Sequence, residues 1–212
     1  MPSSQFQNLP TEKQHQILEA SLREFADKGY DLASTNHIVE QAGISKGVLF
    51  KYFDDKTSLF LSVCEAAFKD IAEAIQPVPC EDLFEFLKNV TLQKIQFSKE
   101  RPLTYRLLLR IAKEPKHPMH AKVMDFATVA SREYMSQLAA LLPKERLREG
   151  LTWEHVLAVV TWISNGLLEK YIARMPDTLD EHAEEAFEPI VEDLDLYFSI
   201  IKDGIYKEDG QP

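Results

Sequence analysis

The chain has 212 residues, enough for two small domains or for one domain with a long extension. Hydrophobic residues make up 45% and charged residues 27%, which is ordinary for a protein that folds in water, and the net charge is −10. With 7 glycines, 2 cysteines and no apolar run of about 18 residues, the chain is a poor candidate for a turn-rich β fold, a disulfide framework or a membrane-spanning helix. We therefore expect an all-α, cytoplasmic protein that makes no membrane contact.

The negative charge lies almost entirely in the C-terminal segment. Residues 176–212 contain 12 acidic and 2 basic residues, whereas residues 1–175 contain equal numbers of both. The overall acidity therefore does not exclude a nucleic-acid-binding surface elsewhere in the chain, because such a surface needs only a local excess of basic side chains.

The N-terminal part is predicted to begin with two successive helices. Apolar residues recur at helical spacing between Thr11, a plausible N-cap, and Lys28. Gly29 follows at the position where glycine commonly ends a helix. Ser34 or Thr35 is then predicted to cap a short second helix whose apolar residues face the core.

A third, short helix is predicted after a glycine turn. Gly43 and Ile44 form that turn, Ser45 caps the helix that follows, and a longer helix runs from Asp55 to Ile75. Proline-containing breaks separate further predicted helices at about 81–99, 102–113, 119–142, 152–174 and 179–205, with Pro189 expected to kink or split the last one.

The stretch from Thr35 to Lys56, TNHIVEQAGISKGVLFKYFDDK, has the pattern of a helix-turn-helix. It contains a capped helix, a turn in which Gly43 supplies a positive φ, and a second capped helix. In this motif the second helix enters the major groove of DNA and the first supports it, while the preceding helix completes a three-helix unit. The stretch therefore predicts a DNA-binding domain over residues 1–56.

Two segments of this region, ILEASLREFADKGYDLAST and IVEQAGISKGVLFKYFDDKTSLF, resemble the TetR family of bacterial transcription regulators. The resemblance extends from Ile17 to Leu61, about a fifth of the chain, and the remainder is similar only in length and helical character. It implies a helix-turn-helix domain over 1–56 and a helical ligand-binding and dimerisation domain over 57–212. The implied function is transcription regulation through binding to double-stranded operator DNA.

The resemblance assigns DNA contacts to both helices of the motif. Thr35 and Lys56 lie at helix starts and are implied to bind phosphate groups. Ser45 and Lys46 open the recognition helix and are implied to contact base edges or phosphate. The complete predicted set is Thr35, Asn36, Ser45, Lys46, Gly47, Val48, Phe50, Lys51, Tyr52 and Lys56.

The middle of the recognition helix combines family features with departures from them. Gly47 is implied to allow close approach to DNA, and Lys51 and Tyr52 are implied to reach the backbone or the bases. Val48 and Phe50 stand where the family usually has threonine and tyrosine. We therefore expect apolar contact at those two positions, for example with a thymine methyl group, in place of hydrogen bonds.

For the C-terminal domain the resemblance implies a pocket for a small apolar or amphipathic ligand, and a homodimer formed by the last two helices. For both sets of residues below, packing inside one chain is the alternative interpretation. The candidate pocket residues are Phe84, Leu87, Tyr105, Leu108, Leu109, Met124, Phe126 and Trp162. The candidate dimer-interface residues are Val156, Val160, Ile163, Gly166, Leu167, Tyr171, Ala183, Phe187, Ile190, Leu194 and Phe198.

The resulting hypothesis is a dimeric, ligand-responsive repressor of a near-palindromic operator. The alternatives are a helix-turn-helix regulator that activates or answers to a protein partner, and a helical enzyme or metal protein. The pairs Glu12/His15 and Glu114/His117 have the Glu-x-x-His spacing of di-iron bundles, but the first lies near the N-terminus and prolines interrupt the second. The sequence has no phosphate-binding loop, Cys-x-x-Cys pair or nucleophile elbow, so we expect no enzymatic activity, cofactor or metal.

Overall fold

The structure, a computed structural model, describes residues 2–76, 78–80, 82–129, 147–172 and 183–205. It confirms the all-α prediction. The helices are α1 (Ser4–Gln7), α2 (Thr11–Leu32), α3 (Thr35–Gln41), α4 (Lys46–Tyr52), α5 (Lys56–Ala74), α6 (Leu83–Glu100), α7 (Pro102–Lys113), α8 (120–129), α9 (Trp153–Ile172) and α10 (Ala183–Ile205).

The helix boundaries follow the sequence prediction to within a few residues wherever the structure describes them. The predicted helix over 119–142 begins at residue 120, and its part beyond 129 lies outside the described residues, as do 173–182. Pro189 lies inside α10, so it does not split that helix. The short helix α1 has no counterpart in the prediction.

Helix α2 is interrupted near its C-terminal end by Gly29. This residue has φ 71° and ψ 177°, a backbone conformation outside the helical region that favours glycine, although the chain resumes helical geometry up to Leu32. The predicted stop at Gly29 is therefore an interruption followed by one further turn. At the other end Pro10 occupies the N-cap position, and Thr11 is the first helical residue rather than the cap.

The described residues divide into two compact units. The first comprises residues 2–73 and 100–129, and the second comprises 74–99, 147–172 and 183–205. The first unit therefore extends beyond the predicted boundary at residue 56, because it also contains most of α5 and all of α7. The Phe60 ring of α5 lies 5.0 Å from the Phe25 ring of α2, and α7 makes the most extensive helix contact with α2. The functional boundary at residue 56 stays a prediction.

The core of the first unit is built from α2 through α5 together with α7 and α8. Fully buried apolar side chains from each of these helices meet there, among them Ile17, Phe25, Ile38, Leu49, Leu59, Leu107 and Val123. Each such side chain contributes about 1.5–3 kcal/mol by leaving water. The helix-turn-helix is therefore held by a core that reaches well beyond its own residues.

The second unit has a separate core formed by α6, α9 and α10. The Phe84 ring of α6 lies 5.2 Å from the Phe198 ring of α10, and Leu194 of α10 and Val160 of α9 are buried in the same cluster. Ion pairs add surface links between α6 and α10, for example Lys88 Nζ to Asp195 Oδ2 at 2.7 Å. Exposed pairs of this kind contribute at most about 1 kcal/mol, so the apolar cluster dominates.

Candidate nucleic-acid interface

Helix α3 is defined at both ends by local hydrogen bonds. The Ser34 hydroxyl accepts from the His37 N–H at 3.4 Å, so Ser34 rather than Thr35 is the N-cap. At the C-terminal end the Ile44 N–H donates to the Val39 carbonyl and the Gly43 N–H donates to the Glu40 carbonyl, the paired bonds of a Schellman motif. Gly43 has φ 60°, as predicted from its place in the turn.

Helix α4 follows directly and presents two different faces. The Ser45 hydroxyl accepts from the Val48 N–H at 3.3 Å and caps the helix, as predicted. Leu49 is fully buried and anchors the inner face to α2 and α3. The outer face exposes Lys46, Gly47, Phe50 and Lys51. The predicted contact residues on this face are therefore brought together on one accessible surface, and their contact with DNA stays a prediction.

Phe50 is the unusual member of this outer face. Its side chain is 38% exposed, although contact of an apolar ring with water is unfavourable in free energy. Val48 and Tyr52 are half-buried and lie between the outer face and the core. An exposed aromatic ring beside two lysines suits apolar contact with bases flanked by phosphate contacts, which is the readout expected from the sequence.

Thr35 and Asn36 begin α3, and the helix is held from below by a buried carboxylate. Glu24 of α2 is almost fully buried; its Oε1 accepts from the Ser34 N–H at 2.9 Å and its Oε2 lies 2.5 Å from His37 Nδ1. Burial acts to raise the pKa of Glu24, but the hydrogen bonds from Ser34 and His37 outweigh it, so its pKa lies below the usual value. The ionised carboxylate therefore ties the first turn of α3 to α2.

Sequence reasoning missed the link between Glu24 and His37. The signal was present, because Glu24 lies on the same face of α2 as Ile17, Ser21 and Phe25, where an acidic residue needs a buried partner. Which partner it takes could not be read from the spacing, since the two residues belong to different helices.

Lys56 is already engaged within the chain. Its ammonium group donates to the Asp31 carbonyl at 3.1 Å and lies 5.1 Å from the centre of the Tyr30 ring. The Tyr30 hydroxyl in turn lies 2.8 Å from the Thr57 hydroxyl. Lys56 thus ties the start of α5 to the end of α2, and a contact with phosphate would have to use its remaining donors.

The candidate pocket residues are divided between the two units. Phe84 and Leu87 belong to the core of the second unit, and Leu108 and Phe126 pack against the core of the first. The remaining four differ in exposure: Leu109 is buried, Tyr105 is half-buried, Met124 is exposed and Trp162 is 71% exposed. Their role in ligand binding stays a prediction.

The first unit contains a small cleft of about 20 Å³, with space for about one water molecule. Arg110, His117 and His120 supply polar groups to its lining, beside Gly29 and Tyr30. None of the eight candidate pocket residues lines it.

The candidate dimer-interface residues are mostly used inside the chain. Because α9 and α10 pack on each other and on α6, most of these side chains have little surface left for a second protomer. An internal stripe and an intersubunit stripe have the same helical periodicity, so the sequence pattern fits both. Ile163 and Ile190 are half-buried, Gly166 is exposed, and the Ala183 side chain lies outside the described residues. The buried members are Val156, Val160, Leu167, Tyr171, Phe187, Leu194 and Phe198.

Exposed apolar side chains remain on both of these helices. Trp162 is 71% exposed, and Val159 and Gly166 accompany it at helical spacing on α9. On α10, Leu196 is 55% and Ile200 is 63% exposed. Exposed apolar side chains of this size mark a protein interaction surface where they form a contiguous patch.

The described residues contain neither a metal-binding cluster nor a membrane-spanning helix. No three His, Cys, Asp or Glu residues are grouped there in a way that could hold a metal ion. His117, from one of the two Glu-x-x-His pairs, instead points its Nε2 at Asp31 and accepts from the Met119 N–H through Nδ1. No helix among the described residues has the length and hydropathy to cross a membrane.

The geometry of α2, α3 and α4 is that of a helix-turn-helix unit of the class found in DNA-binding regulators. Residues 17–63, which include most of α2 and all of α3 and α4, match the family model described as bacterial regulatory proteins, tetR family. This segment therefore has the sequence pattern of the TetR-family DNA-binding region, and the chain as a whole is similar to transcriptional regulators.

Similarity extends over most of the chain at lower identity. The HTH-type transcriptional repressors AcnR of Corynebacterium efficiens and Corynebacterium glutamicum are each 26% identical, over 76% of this chain and 82% of the relative. A crystal structure of a TetR family transcriptional regulator from Chloroflexus aurantiacus has the same fold, with a TM-score of 0.63 and 24% identity over 98% of this chain and 100% of that one.

Proposed function

We propose that this regulator is a cytoplasmic repressor that binds a near-palindromic operator as a homodimer and is released by a small apolar or amphipathic molecule. The observation that carries the DNA-binding part is the outer face of α4, where Lys46, Phe50 and Lys51 are exposed together on a helix anchored through buried Leu49. The names of the AcnR relatives support repression.

The charge of this face suits DNA even though the protein is acidic overall. Within α4 the charged residues are Lys46 and Lys51, and the acidic Asp54 and Asp55 follow only after the helix has ended. Asp55 is also engaged in capping α5, since its Oδ1 accepts from the Ser58 N–H at 2.7 Å. The lysines therefore meet phosphate without a competing carboxylate on their own helix.

The homodimer proposal rests on the apolar side chains left exposed on α9 and α10. Trp162, Leu196 and Ile200 would leave water if a second copy covered them, and the exposed Gly166 has no side chain to keep a partner helix at a distance. These side chains lie on the same two helices as the predicted stripe, whose role in dimerisation stays a prediction.

The ligand proposal rests on the family resemblance and on the apolar middle helices. The eight candidate pocket residues named from the sequence stay the candidates for contact with such a molecule. The test is release: apolar and amphipathic compounds are added to the protein–operator complex, and a compound that lowers operator affinity by about tenfold or more supports ligand control, a coupling within the usual range for allosteric proteins.

DNA binding is tested by fluorescence anisotropy with the intergenic DNA upstream of the gene, or with a duplex selected from a random library. We expect tight binding that exceeds binding to a scrambled duplex and weakens steeply with salt. Lys46→Ala and Tyr52→Phe should each lower operator affinity. Lys69→Ala serves as the matched control, because Lys69 is an exposed lysine on α5 of the same unit. Unchanged affinity in both test variants would contradict the site assignment.

Dimerisation is tested by light scattering after size-exclusion chromatography. The wild type should elute as a dimer, and Trp162→Glu and Ile200→Glu should shift it towards the monomer. Leu92→Glu is the control, since Leu92 is an exposed apolar residue on α6 outside the proposed face. A monomeric wild type at micromolar concentration would refute the homodimer.

A further inference from the structure

The chain begins with a short ordered segment that the helix prediction did not include. The Ser3 hydroxyl accepts from the Phe6 N–H at 3.4 Å and caps the four-residue helix α1. The Gln14 side chain of α2 donates to the Gln7 carbonyl at 3.1 Å and to the Leu9 carbonyl at 2.8 Å. Residues 3–9, here called the N-terminal brace, are therefore tied to the first long helix at several points.

The N-terminal brace satisfies the open end of the recognition helix. The last carbonyls of any helix lack partners within that helix. In α4, the Ser3 N–H donates to the Tyr52 carbonyl at 2.8 Å, and the Ser3 hydroxyl donates to the Lys51 carbonyl at 2.9 Å. A residue 48 positions earlier in the chain thus caps the C-terminal end of α4.

Phe6 adds a packing contact at the same end. Its side chain is 4% exposed, and its ring lies 5.8 Å from the Tyr52 ring in an edge arrangement and 4.9 Å from the Phe53 ring. Three aromatic rings therefore form one cluster below the last turn of α4. Tyr52 is the member of that cluster that also belongs to the predicted DNA-contact set.

We propose that Ser3 and Phe6 are positioning residues for operator binding, because they hold the C-terminal half of α4 and set the placement of Lys51 and Tyr52. This proposal rests on the proposed function, in which α4 reads DNA. Helix α4 has seven residues, too few to be stable alone, so an end without partners frays. The Ser45 cap holds the other end, and Lys46 is therefore independent of the brace.

The test is a double-mutant cycle read by operator affinity. Phe6→Ala should weaken binding about tenfold, a loss comparable to one good contact. When Phe6→Ala is combined with Tyr52→Phe, the loss of affinity should be smaller than the product of the two single losses, because both changes act on the contact between Tyr52 and DNA. Combined with Lys46→Ala, the two losses should multiply.

Two controls separate positioning from a general loss of stability. Phe60→Ala removes a buried aromatic ring from the same unit, away from α4, and should leave operator affinity within about twofold while the protein remains folded at the assay temperature, a condition checked by circular dichroism. Phe6→Leu restores an apolar side chain and should recover most of the affinity. Ser3→Ala should show a smaller loss than Phe6→Ala, because its N–H still reaches Tyr52.

Hydrogen exchange without DNA tests the same proposal independently of the operator. Phe6→Ala should speed amide exchange at Lys51, Tyr52 and Phe53 more than at Val48 and Leu49. Three results would each overturn the positioning role. The first is unchanged amide exchange at the end of α4 in Phe6→Ala, and the second is unchanged operator affinity in the same variant. The third is that the affinity losses multiply when Phe6→Ala is combined with Tyr52→Phe, just as they do when it is combined with Lys46→Ala. If the wild type does not bind the operator more tightly than the scrambled duplex, the proposed function is refuted instead. The exchange data distinguish this result from failure of the positioning role, because they are recorded without DNA.

Discussion

The helix-turn-helix and the α9–α10 pair differ in how much of their structure the sequence predicts. Caps and turns predict the first, and apolar periodicity predicts the second only in part. In the first, the caps at Ser34 and Ser45 and the turn at Gly43 formed where the sequence indicated. In the second, the helices formed as predicted, but the apolar stripe chosen as a dimer interface packs inside the chain. Periodicity identifies an apolar face of a helix, yet it does not identify what covers that face.

The difference has a physical origin. A cap or a positive-φ turn is decided within about four residues of chain, so its signal is complete in the sequence. Burial of an apolar side chain is non-directional, and any apolar surface of suitable shape satisfies it. Helices with two apolar faces, such as α9, therefore carry an ambiguity that only packing resolves.

The largest expected effect comes from removing a ring of the buried stripe. Phe198→Ala should lower the free energy of unfolding by about 3–5 kcal/mol, because it deletes a ring packed on Phe84 and leaves a cavity. Urea denaturation at fixed protein concentration measures the change. Leu92→Ala, at an exposed position on α6, should change it by less than about 0.5 kcal/mol. A small effect of Phe198→Ala would contradict its contribution to this core.

A pair of glycine substitutions separates tertiary from local constraints. Gly29→Ala should cost about 1–3 kcal/mol from backbone strain, and more because a Cβ would lie 3.3 Å from Cδ of Arg110. Gly43→Ala should cost about 1 kcal/mol, because its Cβ would meet no atom within 4 Å and only the positive φ opposes it. Thermal unfolding of both variants tests the order. Equal losses would show that the Arg110 side chain yields freely.

The buried Glu24 carboxylate should make stability depend on pH. Because its pKa is lowered in the folded protein, its contribution is present above the pKa of the unfolded chain, about 4.3, and is lost as pH falls through the folded value. Glu24→Gln should therefore cost about 1 kcal/mol near pH 7 and progressively less towards pH 3. Urea denaturation of both proteins across this range gives the difference. A difference that is constant with pH would contradict an ionised Glu24.

The smallest expected change in stability comes from Gly47→Ala, which should stabilise the protein and weaken operator binding. Gly47→Ala should stabilise α4 by up to about 1 kcal/mol, since glycine is a poor helix former and a Cβ there would meet only Ser45 Oγ at 4.0 Å. If DNA approaches this backbone closely, operator affinity should fall in the same variant. Urea denaturation and anisotropy measure the two quantities, and an unchanged affinity would show that DNA stays at a distance from Gly47.

Parts of the candidate site followed from the sequence and parts did not. Lys46 and Lys51, both predicted to contact DNA, are exposed on α4, because a helix of known start places its side chains at fixed angles. The engagement of Lys56 with Asp31 could not be foreseen, since the two residues lie 25 positions apart. Long side chains find such partners only after the helices have packed.

The sequence by itself determined the all-α class, the order of most helices and the helix-turn-helix with its caps, since these depend on interactions within a few residues. The tertiary structure alone decided that Ser3 and Phe6 support the end of α4, that Glu24 ties down α3, and which face of α9 and α10 forms the core. Each of these joins groups distant in sequence, and their pairing is selected by the packing of the whole unit rather than by any local preference.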